Sequence, residues 1–147
     1  MRVLSVLTAA CIGLLFSGCD LVGITNEGPP DVQLSVDDTT YAIGSTVELT
    51  LSNNTDKSVV AGANLCPAGL DKAREDGSWQ SVPATVVCQL WQGGVASGKE
   101  VSQTFALDAD RAVTQPGIYR FTHVVWVEEQ RVKVRTDRFE VRLASSE

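Results

Sequence analysis

The chain has 147 residues and a formal net charge of −6 at neutral pH, and 44% of its residues are hydrophobic. This length suits one ordinary domain with a single core, and the composition excludes a disordered chain or one embedded in a membrane over most of its length. The acidic balance argues against a nucleic-acid partner, because such a partner calls for a basic surface.

The first 18 residues have the layout of a secretory signal peptide. Arg2 supplies the positive start, an apolar run follows over residues 3–16, and small residues precede Cys19. The run falls short of the ~20 apolar residues that a membrane-spanning helix needs. We therefore predict a leader over residues 1–18. A membrane anchor, or a plain signal with a chance cysteine, is the alternative.

Residues 16–19, Phe-Ser-Gly-Cys, resemble the bacterial lipobox, from which only Phe16 departs because Leu is usual there. The resemblance implies cleavage before Cys19 and a diacylglycerol group on its thiol. Since one acyl chain holds a protein only marginally, the two or three chains of a lipoprotein would fix it to a membrane. We expect an extracytoplasmic protein of the cell envelope, with an envelope protein as a further partner. Asp20 resembles the inner-membrane retention signal of enteric bacteria, which other lineages do not use, so inner and outer membrane both stay open.

The rest of the chain divides into a tether and a domain. Residues 19–30 mix glycines with the Pro29-Pro30 pair and show no periodicity, which predicts a tether. Residues 31–147 sustain no helical period over ten residues, whereas alternation with period two recurs. This pattern predicts an all-β domain.

Seven or eight short strands are predicted. They cover residues 32–36, 47–52, 58–65, 70–74, 79–82, 101–107, 118–127 and 131–143. Asp76-Gly77 predicts a tight hairpin between two of them. In the last strand the apolar residues move from even to odd positions, which predicts a β-bulge or a sheet crossing near Asp137. This number of strands and turns is typical of an immunoglobulin-like antiparallel β-sandwich, with an orthogonal barrel as the alternative.

Tyr119 enters the strand over residues 118–127 after Pro116-Gly117, and so resembles the tyrosine corner of such sandwiches. Its hydroxyl would then satisfy a backbone group, whereas the alternative is an ordinary core tyrosine. Together with the segments over residues 41–44, 47–51 and 76–79 and with Asn53, this corner resembles a bacterial immunoglobulin-like domain family over most of residues 32–143. The BsuPI-like proteinase inhibitors are similar in those three segments.

Cys66 and Cys88 belong to the predicted domain. In an exported protein this pair can form a disulfide, for which the chain-entropy model gives roughly 3.4 kcal/mol of stabilisation. Free thiols or a metal site are the alternatives, but His123 is the only histidine and no CxxC pair exists. The span is too short for the inter-sheet disulfide of immunoglobulin domains, so the bridge would brace one edge or loop.

The sequence presents no catalytic constellation. Residues 93–100 match the phosphate-loop pattern GxxxxGK, but Glu100 stands where Ser or Thr must hold magnesium, so we predict a loop. His123 has no nucleophile in view, which indicates a structural or surface histidine. The acidic pairs at residues 37–38 and 108–110 lack calcium-loop spacing and indicate solvated turns. We therefore predict no enzyme, no cofactor and no metal.

Two features are candidates for binding. Arg131, Lys133 and Arg135 form a basic stripe on one strand face, which suits phospholipid headgroups or an acidic partner, unless it only protects a sheet edge. Trp91 precedes the Gly93-Gly94 pair, so we predict a partner-binding loop over residues 91–98. A core position for Trp91 is the alternative.

The other tryptophans, Trp79 and Trp126, are predicted to be core residues. The function that this sequence favours is a non-catalytic, membrane-tethered binding or accessory module. The alternative is a protease inhibitor of BsuPI-like type, in which a loop braced by the cysteine pair presents residues 82–84.

Overall fold

The computed structural model describes residues 31–62, 65–66, 68–84 and 92–144. Among these residues no helix is long and apolar enough to cross a membrane. Eleven strands form in the described part of the chain. They are β1 (Val32–Val36), β2 (Thr40–Ala42), β3 (Thr46–Asn53), β4 (Val59–Gly62), β5 (Gly69–Ala73), β6 (Trp79–Val82), β7 (Gln92–Val95), β8 (Lys99–Ala106), β9 (Gly117–Val127), β10 (Gln130–Arg135) and β11 (Phe139–Arg142).

The strands form two sheets. A three-stranded sheet has the order β1-β3-β8, and an eight-stranded sheet is built around β9. The 11 residues of β9 hold two partners end to end on each side, β11 and β10 on one side and β5 and β4 on the other. β6 pairs with β5, β7 pairs with β4, and β2 runs parallel to β11.

The core lies between the inner faces of the two sheets. Alternate residues of β3, namely Val47, Leu49 and Leu51, are fully buried, as expected for strands with one apolar face. From opposite sheets, the rings of Phe105 in β8 and Phe121 in β9 stack with their centroids 5.9 Å apart. This face-to-face packing confirms the predicted all-β sandwich.

The strands outnumber the predicted seven or eight for two reasons. The last predicted strand is divided into β10 and β11. The short strand β2 lies where no strand was predicted, and β7 lies in the segment predicted as a loop. The hairpin predicted at Asp76-Gly77 is confirmed, since β5 and β6 pair around it and Gly77 has φ +81°. Glycine adopts this left-handed conformation without the Cβ clash of other residues.

The predicted tyrosine corner is confirmed. The Tyr119 hydroxyl donates a hydrogen bond of 2.7 Å to the Gln115 carbonyl, and the tyrosine ring is buried. The bond satisfies both a buried hydroxyl and a loop carbonyl. It therefore fixes the chain where β9 enters the sheet.

The slip predicted near Asp137 is also confirmed. Arg135 pairs with Thr122, but Phe139 pairs with Tyr119, so the β10–β11 side carries one more residue than β9 between these pairs. The backbone N–H of Phe121 donates 3.0 Å to the Thr136 hydroxyl, which donates 2.8 Å to the Asp137 carbonyl. These bonds define a β-bulge that changes which residues face the core.

Candidate functional site

Several predicted site residues lie outside the described residues, namely Cys19, Cys88 and Trp91. The lipidation of Cys19 and the pairing of Cys66 with Cys88 therefore stay predictions. Cys66 is described, and it is a disulfide-bonded cysteine.

Cys66 lies at an interruption in the large sheet. β9 pairs with β4 up to Ala61, which lies opposite Val125, and with β5 from Gly69, which lies opposite Thr122. Only two residues of β9 therefore lie between these pairs, whereas seven residues separate Ala61 from Gly69 in the chain. On the outer side, β6 ends at Val82 and β7 begins at Gln92, and Cys88 lies between these two strands in the sequence, outside the described residues. The predicted role of the disulfide, as a brace of one edge or loop, therefore stays a prediction.

Arg111 anchors the Cys66 segment to the core. Its side chain is 1% exposed, its Nη2 donates 2.9 Å to the Cys66 carbonyl, and its guanidinium lies 4.1 Å from the centroid of the Phe105 ring. Burial lowers the pKa of Arg111, and the nearby Asp110 carboxylate opposes this shift. Its Nε and Nη1 have no hydrogen-bond partner among the described residues. This residue was not predicted as part of a site, because nothing in its local pattern distinguishes it from a surface arginine.

The predicted basic stripe lies on the outer face of the large sheet. Arg131, Lys133 and Arg135 alternate along β10 with Val132 and Val134, which pack on the core. β10 pairs with β9 alone, so its other edge has no strand partner among the described residues. The stripe thus lines an open sheet edge, a position where charged side chains discourage pairing with other chains.

Two further arginines extend this stripe, and neither was predicted from the sequence. Arg120 of β9 lies with its guanidinium carbon 3.9 Å from the centroid of the Trp79 ring, and Arg138 of the bulge lies 5.6 Å from the same centroid. Asp71 of β5 forms an ion pair of 3.5 Å with Arg120. Together these side chains form the cationic face, which consists of Arg120, Arg131, Lys133, Arg135 and Arg138.

Three cations of this face, Arg120, Arg135 and Arg138, are close enough for the charges of the other two to act on Arg120. The pKa of Arg120 is lowered first by burial and then by the charge of Arg135, with a smaller contribution from Arg138, while Asp71 opposes these effects. An anion bound here would relieve the repulsion, and guanidinium groups form their strongest hydrogen bonds with carboxylates and phosphates. The geometry therefore favours an anionic partner.

Exposed apolar side chains share the outer face. Trp126 is 46% exposed, and Val60, its cross-strand neighbour on β4, and Ile118 are each 39% exposed. The predicted core position of Trp126 is wrong, because Val125 takes the core position and strand alternation turns Trp126 outward. Trp79 is likewise absent from the core cluster and packs under Arg120.

A groove of about 440 Å³ crosses this face. It is lined by Gly69, Thr122, His123, Val124, Trp126, Arg131 and Lys133. The indole and the two cations lie on neighbouring strands, since Arg131 pairs directly with Trp126. Such a lining suits a ligand that carries a negative charge next to an apolar part.

His123 is a buried structural histidine rather than a surface one. It is 3% exposed, and its Nε2 has no hydrogen-bond partner among the described residues. Burial lowers its pKa to about 4, so the imidazole is neutral at physiological pH. No group of three or more potential metal ligands occurs in the described part of the chain.

The loop predicted over residues 91–98 is wrong in part. Gly93 and Gly94 lie in β7 and pair with β4. A Cβ added to Gly94 would lie 2.9 Å from the Ser58 hydroxyl, so the glycine permits a close approach within the sheet. A pair of glycines predicted to supply a partner-binding loop therefore belongs to a strand.

The segment predicted to act in protease inhibition is also partly in a strand. Val82 is the last residue of β6 and pairs with Leu70. Pro83 and Ala84 follow it and are exposed. Only these two residues of the predicted segment lie beyond the sheet, and inhibition itself stays a prediction.

Comparisons with known proteins give a fold-level likeness. No protein-family model and no curated protein matches the chain, so the resemblance to BsuPI-like inhibitors stays a prediction. A Salmonella enterica structure of the SafA pilin with the SafB chaperone has 13% identity and a TM-score of 0.47, and the match covers 78% of this chain and 55% of that one. The human CEP192 PapD-like domain 7 has 17% identity and a TM-score of 0.36, over 100% of this chain and 99% of that one.

An enzyme also occurs among the similar structures. The DNA-bound alkylpurine DNA glycosylase AlkC of Pseudomonas fluorescens has 17% identity and a TM-score of 0.40, over 76% of this chain. The match covers 30% of the glycosylase and about half of the Salmonella chain, at 55%. At these identities and TM-scores the likenesses carry no functional argument.

Proposed function

We propose that this protein is a non-catalytic binding module of the cell envelope, held to a membrane by lipid on Cys19, and that it binds an anionic partner through its cationic face. One observation carries the proposal. Five cationic and three exposed apolar side chains share one sheet face of a chain whose net charge is −6.

A face that served solubility alone would have no need of this arrangement. Burial lowers the pKa of Arg120 most, and the charges of Arg135 and Arg138 lower it further, so these neighbours oppose its ionised form. The face also holds the carboxylates of Asp71, which pairs with Arg120, and Glu140, which lies opposite Ile118, but its cations outnumber them. A surface that only contacts solvent leaves few large apolar side chains exposed. Arg and Trp are also the residue types that most often carry binding energy in interfaces. The composition of this face is therefore that of a binding surface.

The tether rests on the leader and on the lipobox-like residues before Cys19. Intact-mass analysis of the protein purified from membranes tests it. We expect an N-terminus at Cys19 with the added mass of two or three acyl chains. An unmodified chain that begins at another residue would contradict the tether and leave the binding face untouched.

The binding face is tested by capture from envelope extract. The variant Lys133→Gln/Arg135→Gln removes two charges from the cationic face, and Lys57→Gln/Lys99→Gln removes two exposed charges elsewhere. We expect the first variant to lose the captured partner and the second to retain it, with both melting like the wild type. Equal capture by both variants would refute the proposal.

A further inference from the structure

We infer that the cationic face docks onto a membrane surface rich in anionic phospholipid. This inference rests on the proposed function, because it names the partner of the same face. The proposed ligand is the lipid surface. The experiment below also distinguishes it from a protein partner.

The mixture of side chains on the face favours a lipid surface over an acidic protein segment. Three of the four exposed large apolar side chains among the described residues, Val60, Ile118 and Trp126, lie on it. The fourth, Leu143, lines a surface depression together with Ile118 at the end of the same sheet. Tryptophan prefers the headgroup level of a bilayer, and apolar side chains gain by entering the region just beneath it.

The cations are placed where lipid phosphates would meet them. Arg131 lies beside Trp126 across β9 and β10, so an indole that enters the headgroup layer brings a guanidinium to the same depth. Arg135 and Arg138 continue the row on either side of the bulge. At ~3.3 Å per residue the row from Arg131 to Arg138 extends over roughly 23 Å, which is long enough to contact several headgroups.

The opposite face of the sandwich has a different character. On the outer side of the small sheet the Thr50 and Ser102 hydroxyls are hydrogen-bonded at 2.7 Å, and Ser52 donates 2.7 Å to the Glu100 carboxylate. These polar groups satisfy one another and offer no cation. A domain with cations on one face and none among these groups on the other would approach an anionic surface with its cationic face.

The predicted tether permits this contact. At up to about 3.5 Å per residue, the chain from Cys19 to Asp31 reaches about 40 Å. That length lets the large sheet lie against the membrane that holds the lipid. Anchor and face would then engage the same membrane, and the second contact would gain from the high local concentration that the first provides.

Vesicle co-sedimentation tests the inference. The core of the described residues lies wholly between Val32 and Val141, so residues 31–147 contain it and serve as the lipid-free protein. We expect this domain to bind vesicles of phosphatidylglycerol mixed with phosphatidylcholine, to ignore vesicles of phosphatidylcholine alone, and to be released by salt. Because the chain is acidic overall, charge attraction without a specific face predicts no binding.

Two triple variants with equal loss of charge locate the contact. Arg131→Ala/Lys133→Ala/Arg135→Ala should weaken vesicle binding by roughly 100-fold, at about fivefold for each cation near an anionic surface. Lys57→Ala/Arg74→Ala/Lys99→Ala removes three exposed cations from other parts of the domain and should bind like the wild type. Arg131→Lys/Arg135→Lys keeps the charges and should bind within a few fold of the wild type. This conservative variant is the second test of the face if the alanine variant unfolds.

The outcomes separate the two proposals. Equal binding by both alanine variants would overturn the inference, and so would binding that does not depend on the presence of phosphatidylglycerol in the vesicles. Absence of vesicle binding, together with face-dependent capture of an envelope protein, would also overturn it and leave the proposed function standing. If neither capture nor vesicle binding is changed by substitutions on the cationic face, the proposed function fails as well.

Discussion

The chain's single histidine should make the stability of the domain depend on pH. His123 is 3% exposed, and burial lowers its pKa from 6.5 to about 4 in the folded protein. Below pH 6.5 the unfolded chain therefore binds a proton that the folded protein does not. Stability rises with pH wherever the unfolded state binds more protons, so it should fall as the pH drops from 6.5 towards 4.

The size of this effect follows from the difference between the two pKa values. At 1.36 kcal/mol per pK unit, the free energy of unfolding should fall by about 2 kcal/mol between pH 7 and pH 5 and by about 3 kcal/mol by pH 4. Asp37 has a lowered pKa because hydrogen bonds from the Glu48 N–H and the Tyr41 hydroxyl outweigh its burial. The stabilisation from the Asp37 carboxylate is lost only below its usual pKa of 3.8. The change in the free energy of unfolding between pH 6.5 and pH 5 therefore comes from His123.

Urea denaturation followed by tryptophan fluorescence at pH 7, 6 and 5 measures this slope. His123→Gln cannot gain a proton in this range, so its free energy of unfolding should stay level whatever its absolute value. A wild-type protein whose slope matched that of the variant would refute the reasoning. The histidine resonance gives a direct check, because a pKa near 6.5 in the folded protein would mean that burial leaves the imidazole unaffected.

Three further predictions concern the backbone of β9 and its neighbours. Thr136→Val leaves a buried N–H of β9 without its acceptor and should cost about 1–3 kcal/mol in urea denaturation, whereas Thr50→Val on the exposed face should cost under about 0.5 kcal/mol. Tyr119→Phe removes the bond to Gln115 and should cost about 1 kcal/mol; an unchanged melting temperature would show that the corner adds nothing. Glu129 has φ +70° in the turn before β10, so Glu129→Gly should stabilise the domain by about 0.5–1 kcal/mol, and a loss of stability would count against strain there.

Alternation predicted the long strands correctly, because each has one apolar and one polar face. It failed for β7, whose sequence contains Gly93 and Gly94 and no apolar alternation. It also failed for β2, which has three residues and pairs in parallel with β11, a hundred residues away. The hydrogen bonds of such short strands depend on a distant partner, so local sequence does not determine them.

The cationic face shows the same division between local pattern and long-range pairing. The stripe on β10 was predicted, since its residues follow one another with period two. Arg120 and Trp79 were missed as members of a site because they belong to different strands and meet only across β5. The outward position of Trp126 could have been predicted from the sequence. Tyr119, Phe121 and Val125 take the odd positions of β9 for the core, and this leaves the even positions, including residue 126, on the outer face.

The bulge connects the core to the cationic face. In an unbroken strand Arg131, Lys133 and Arg135 would share their face with residue 137, and Arg138 would point to the core. The one-residue slip moves the outward positions from odd to even, so Phe139 enters the core and Arg138 joins the outer face over Trp79. The apolar residues that require the slip are visible in the sequence. The membership of Arg138 in the cationic face thus follows from the burial of Phe139, and a substitution that removed the bulge would disturb both the core and the binding surface.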